Sequence, residues 1–176
     1  MTFNKNILFS SFFIACILFL LGLTVHRYWL QAGLTTDSVI AEHIEQLSGI
    51  FKKIDTDCGI IDFEHSRNYI DFLTVIAFVG SEIGAMNLKY PNNWQGPYIQ
   101  DNPTVQTKYY EIVKTKHGYW IVPGQGVRLS NGNVIGKDII FDENTDMPKL
   151  LETKTILINN NRALVAPLKS PFNEHV

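Results

Sequence analysis

The chain has 176 residues with 15 Lys and Arg against 17 Asp and Glu, a net charge of −2, and 45% hydrophobic residues. This near balance, with no basic run or patch, argues against a nucleic-acid partner. Two cysteines, Cys16 and Cys58, are too few for a disulfide framework, and no paired-cysteine metal or redox motif is present.

Nineteen uncharged residues, Ile7 to Val25, follow Lys5 and precede His26, Arg27, Tyr28 and Trp29. A helix needs roughly twenty apolar residues to cross the hydrocarbon core of a bilayer, and aromatic residues suit its interfaces. The run is therefore read as a retained membrane anchor, residues 1–32, carrying a head over residues 33–176. Two other readings compete. A cleaved signal peptide would use the poor small-residue site Gln31-Ala32-Gly33. A lipoprotein signal would use Cys16, but Cys16 is followed by more apolar residues where a polar mature terminus is usual. Lys5 before the run and Arg27 after it balance, so flanking charge does not orient the span.

Thr35, Thr36, Asp37 and Ser38 are helix-capping residue types. After them Ile40, Ile44, Leu47, Phe51 and Ile54 recur at spacings of four and three. The pattern predicts an amphipathic helix over Asp37–Ile54, with Glu42, Glu45, Lys52 and Lys53 on its other face. It joins the anchor directly or through a kink at Gly33. Gly59 is placed to end it in the left-handed conformation.

A second helix is expected from Ser66 to Gly80, then an ordered Asn-, Pro- and Gly-rich loop over Gly84–Pro103. Period-two segments follow: Tyr109–Val113 with Tyr119–Val122 about Lys116-His117-Gly118, and Val127–Leu129 with Val134–Phe141 about Asn131-Gly132. Thr155–Ile158 and Ala163–Ala166, joined by Asn159-Asn160-Asn161, form a last expected hairpin. The fold class is α+β, with a long N-terminal helix packed on a small antiparallel sheet.

Chemical motifs are sparse. Asp142-x-Asn144-x-Asp146 spaces three oxygen ligands as a calcium loop does, but Met147 and Thr153 replace the expected glycine and glutamate. Calcium is thus a minor reading beside a solvated acidic loop, and no other cofactor is indicated. Cys58 could be a nucleophile with His43, His65 or His117 as base, but nothing local places a histidine within reach or lowers its pKa, so it reads as a small turn residue, and Asp55, Asp57, Asp62 and Glu64 read as a helix end and loop surface. Gly124-Gln125-Gly126 reads as a bulge or tight bend. These observations favour a non-enzymatic protein. Gly96-Pro97 reads as a turn flanked by Trp94 and Tyr98, whose rings can pack over the sheet edge.

The order of parts resembles the type IV pilin-like superfamily, and two stretches resemble the major pseudopilin of type II secretion. Ile44–Ile61 is similar to that family's helix running into a Tyr-x-x-Asp-Asn-Gly turn, with Phe51 for the aromatic and Asp57-Cys58-Gly59 for the turn. Asn93–Ile99 is similar to its Trp-x-Gly-Pro-Tyr-Leu loop. Met1–Ile17 contains no glycine and no glutamate, so the family's prepilin cleavage motif is lacking. Asp101-Asn102-Pro103-Thr104 stands where the family has Asp-Pro-Trp-Gly. The resemblance implies a single-pass protein of a bacterial inner membrane with its head in the periplasm. It implies a structural role in a secretion pseudopilus or related envelope assembly, with other pilin-like subunits, secretion components or further copies of itself as partners. The alternative is a monomeric anchored module that binds a partner protein.

Overall fold

The computed structural model describes residues 5–152 and 157–168, with side chains described for 14–28, 36–152 and 157–168. It is α+β. One helix, α1 (Lys5–Cys58), precedes a series of short antiparallel strands. Among the described residues no helix is long and apolar enough to cross a membrane. Ser10 and Ser11, at the start of the apolar run, lie outside the described side chains.

The C-terminal part of α1 forms one wall of the core. Ile40, Leu47, Phe51 and Ile54 are fully buried, and Ile44 nearly so. Five such side chains contribute roughly 10 kcal/mol before the entropy of ordering them. The helix runs one turn beyond the expected Ile54. It stops at Cys58 because Gly59 turns left-handed at φ 65°, a conformation that costs glycine no Cβ clash. Its last carbonyls find partners there: Asp57 O accepts from Asn93 Nδ2 at 2.8 Å and Cys58 O from Tyr90 N at 2.7 Å. Asp55 Oδ1 accepts from Ile60 N at 2.8 Å, which directs the chain into its first strand.

The strands form two main sheets. β1 (Ile60–Phe63) pairs with β4 (Met86–Leu88), which pairs with β3 (Glu82–Ile83); β2 (Arg67–Tyr69) joins the other sheet. After a 3-10 turn at Pro91–Asn93 comes the small hairpin β5 (Thr104–Val105) and β6 (Lys108–Tyr109). β7 (Glu111–Thr115) and β8 (Gly118–Val122) form the hairpin read from the sequence, with Ile112 opposite Ile121 and Val113 opposite Trp120. A short helix α2 (Met147–Glu152) leads to β9 (Ile158–Asn159), β10 (Arg162–Ala163) and β11 (Ala166–Pro167). The larger sheet runs β11-β8-β7-β2.

Four expectations are corrected. Ser66–Gly80 is not helical. Its first part is β2, where Asn68 lies opposite Ile112, and Ile70 N continues the pairing to Tyr110 O at 2.9 Å. Ile70, Phe72 and Leu73 are buried, a spacing equally compatible with a helix face and with an extended chain followed by a turn. The available edge of β7 decides for the strand. Gly84–Pro103 holds strand β4, which reaches back across a two-residue turn at Gly84 and Ala85 to β3. Val127–Leu129 and Val134–Phe141 make isolated bridges rather than a full hairpin, because Val134–Ile139 curls back on itself at Gly136, φ 83°.

The last hairpin is shifted. Asn160 and Asn161 form its turn, both with positive φ, and Ala166 pairs with β8 instead. Thr155 and Ile156 lie outside the described residues. Gly124–Gly126 is a tight bend closed by Val127 N to Gly124 O at 3.2 Å.

Candidate functional site

Along α1 the surface changes character. Ile14, Leu18, Phe19, Leu20, Leu21, Leu23 and Val25 are exposed apolar side chains among the described residues. Thr24, within this stretch, turns its hydroxyl onto the carbonyls of Leu21 at 2.8 Å and Leu20 at 3.1 Å. This is the ordinary back-bond of a helical threonine, which Thr56 also makes to Lys52 O at 2.8 Å. Cys16 is exposed on the same stretch.

The far end of α1 carries an aromatic clasp. Trp94 meets Phe78 edge to face at 5.6 Å and Tyr98 at 4.8 Å, and its Nε1 donates to Val75 O at 3.1 Å. The Gly96–Pro97 bond is cis. A Cβ on Gly96 would collide with Val75 O and the Trp94 ring, so glycine is required by close approach. The Lys53 ammonium lies 5.7 Å over the Tyr98 ring, and Asn93 grips Asp57 O. Trp94 and Tyr98 therefore lie against the segment Leu73–Phe78 and the end of α1, with Gly96 allowing their close approach.

Cys58 sits under this clasp, fully buried. Burial, and secondarily the charge of Asp57, pushes its thiol up, while a hydrogen bond with Tyr98 opposes them. That is the reverse of an activated nucleophile. The histidines weighed as its base have other partners: His43 Nδ1 lies 3.1 Å from the Tyr110 hydroxyl, His117 Nε2 lies 3.4 Å from Asp146, and His65 Nε2 lies 3.6 Å from Glu64.

The acidic loop is committed to local structure. Asp142 Oδ1 accepts from Asn144 N and Thr145 Oγ1, both at 2.9 Å, as an Asx turn. Asp146 Oδ1 accepts from Lys149 N at 3.2 Å at the start of α2. That bond, then the nearby charge of His117, holds its carboxyl below the usual range. Met147, at the calcium-loop glycine position, is buried in the core, and Thr153, at the glutamate position, lies outside the described residues. Among the described residues no cluster of three or more His, Cys, Asp or Glu is placed to hold a metal ion.

Three long-range ties escaped sequence reasoning. Asp37 is bound by Ser130, Arg67 forms an ion pair with the buried Glu111, and His43 meets Tyr110. Their partners lie 93, 44 and 67 positions apart, and no local pattern marks them. Arg67 also donates to Phe141 O at 2.7 Å, and Glu111 accepts from Gln125 N at 3.1 Å, so this pair joins β2 and β7 to two loops. Compared with protein-family models, with curated proteins and with solved structures, the chain matches none of them.

Proposed function

We propose that this chain is a non-enzymatic, membrane-anchored structural subunit of a pilin-like envelope assembly of the secretion-pseudopilus kind. The observation that carries the reading is the division of one helix into two surfaces. Ile14–Val25 is exposed and apolar, whereas Ile40–Ile54 supplies a buried stripe to the head. The full apolar run Ile7–Val25 would be about 28 Å long as a helix, close to the roughly 30 Å of a hydrocarbon core. The head hangs on the C-terminal part of that helix, and the apolar parts of neighbouring copies pack side by side.

The experiment uses Cys16 in native membranes. The protein should resist alkaline extraction, and oxidation should crosslink it to itself or to another single-pass subunit. Cys16→Ser should remove the crosslinked species. Release by alkali would overturn the anchor, and a protein that stays monomeric under oxidation would overturn the assembly. The second reading, an anchored module that captures a partner protein, is favoured by one observation. Ile76 and Val79 are 72% and 100% exposed beside the clasp, at the opposite end of α1 from the apolar run.

A further inference from the structure

Tyr110 lies between β6 and β7 with its ring fully buried. Among the described residues its hydroxyl has one hydrogen-bond partner, His43 Nδ1 at 3.1 Å, and the two rings meet edge to face with centroids 5.6 Å apart. Burial raises the phenol's pKa well above its ordinary value, so the hydroxyl keeps its proton. That proton needs an acceptor, and Nδ1 is the atom in reach. The imidazole is therefore neutral with its own hydrogen on Nε2. A second ring proton would set N–H against O–H and leave the buried phenol proton without an acceptor.

The surroundings of His43 offer a second place for the ring. A cleft of about 450 Å³ opens between α1 and the Tyr98–Pro103 segment, lined by His43, Gln46, Tyr98, Gln100 and Asp101 among others. Asp101 is exposed there and free of any ion pair among the described residues.

We propose that His43 is an acid-sensitive latch between the long helix and the head. Neutral, it holds the Tyr110 hydroxyl; protonated, it turns into the cleft towards Asp101 and releases that hydroxyl. The titratable groups facing it are Glu42 from α1, Tyr110 from the sheet, and Tyr98 and Asp101 from the cleft wall. Burial lowers the His43 pKa below the usual 6.5, and the charge of Glu42 partly offsets this. Between 6.5 and that lowered value the unfolded chain binds a proton that the latched state does not. The latch is thus intact above 6.5 and is lost as pH falls through its folded pKa. It operates whether or not α1 enters a membrane.

The test is a histidine-ring NMR titration of the full chain in detergent micelles. Wild type should show the Nε2–H tautomer at neutral pH and a His43 pKa below 6.5. Tyr110→Phe removes the bond that favours the neutral ring and should raise the pKa. Asp101→Asn removes the acceptor of the charged ring and should lower it further. Shifts in opposite directions are the signature, since loosened packing would move both variants the same way. An Nδ1–H tautomer in wild type, or an unmoved His43 pKa in Asp101→Asn, overturns the proposal. The second result stands even where Tyr110→Phe fails to fold, because Asp101 is on the surface.

Discussion

Asp37 and Ser130 are joined by two hydrogen bonds. The Ser130 backbone N–H donates to Asp37 Oδ1 at 3.0 Å, and its hydroxyl donates to Oδ2. Asp37 is only 4% exposed although it carries a carboxyl group. It stands three residues before the buried stripe begins, so this clasp ties the entering end of the helix to the Leu129–Asn133 turn.

Asp37→Ala should therefore destabilise the head by about 1–3 kcal/mol, since it strands two donors that are partly shielded from water. Ser130→Ala keeps the backbone donor and should cost about 1 kcal/mol. Urea unfolding of both single variants and the double variant checks this. Equal, additive losses would show that the two residues act independently.

Phe51 is the largest side chain of the buried stripe, and its ring meets Phe72 edge to face at 6.2 Å. Phe51→Ala removes that contact and leaves a cavity between the helix and the segment after β2. The expected loss is about 3–5 kcal/mol, read from the denaturation midpoint. A change under roughly 1 kcal/mol, the size of an ordinary surface effect, would sink the idea that α1 is a wall of the core.

The parts of the fold that were legible in the sequence are those specified by neighbouring residues. The stripe of α1 shows because one helix face is buried over about four turns, and β7–β8 shows because its alternation faces a core on one side. Gly59 shows because a left-handed stop needs its missing side chain. The Ser66–Gly80 error has the opposite origin. Ile70 and Leu73 are three apart by chance of a strand ending in a turn, and the deciding partner, Tyr110, is far along the chain. The role of the clasp was half legible. Gly96-Pro97 between aromatics announces a turn, but its seat on the end of α1 depends on Asn93 and Lys53, which no local pattern links.

Gly96 gives a sharper test of that clasp. Any side chain at this position must push away Val75 O or the Trp94 ring. Gly96→Ala should cost about 1–3 kcal/mol by overpacking, with a change in tryptophan fluorescence as Trp94 loses its bond to Val75 O. If Gly96→Ala preserved both stability and emission, the close approach would be absent in solution.

Cys58 reports on the end of the helix through its chemistry. Its thiol is buried and its pKa lies above the ordinary value of 9.0, chiefly through burial. The folded thiol stays protonated where the unfolded one has ionised, so the unfolded state binds fewer protons at alkaline pH. Stability from this group is therefore complete below pH 9.0 and falls as pH rises from there towards the folded value. In a Cys16→Ser background, a thiol reagent at pH 8 should modify Cys58 only as fast as the head opens, and denaturant should speed the reaction in step with unfolding. Rapid modification of the native protein would mean that Tyr98 and the clasp do not cover the end of α1. Tyr98→Phe separates the two contributions to the thiol. It keeps the ring over Cys58 but removes the hydroxyl that favours the thiolate, so reactivity in the native state should fall or stay level and should not rise.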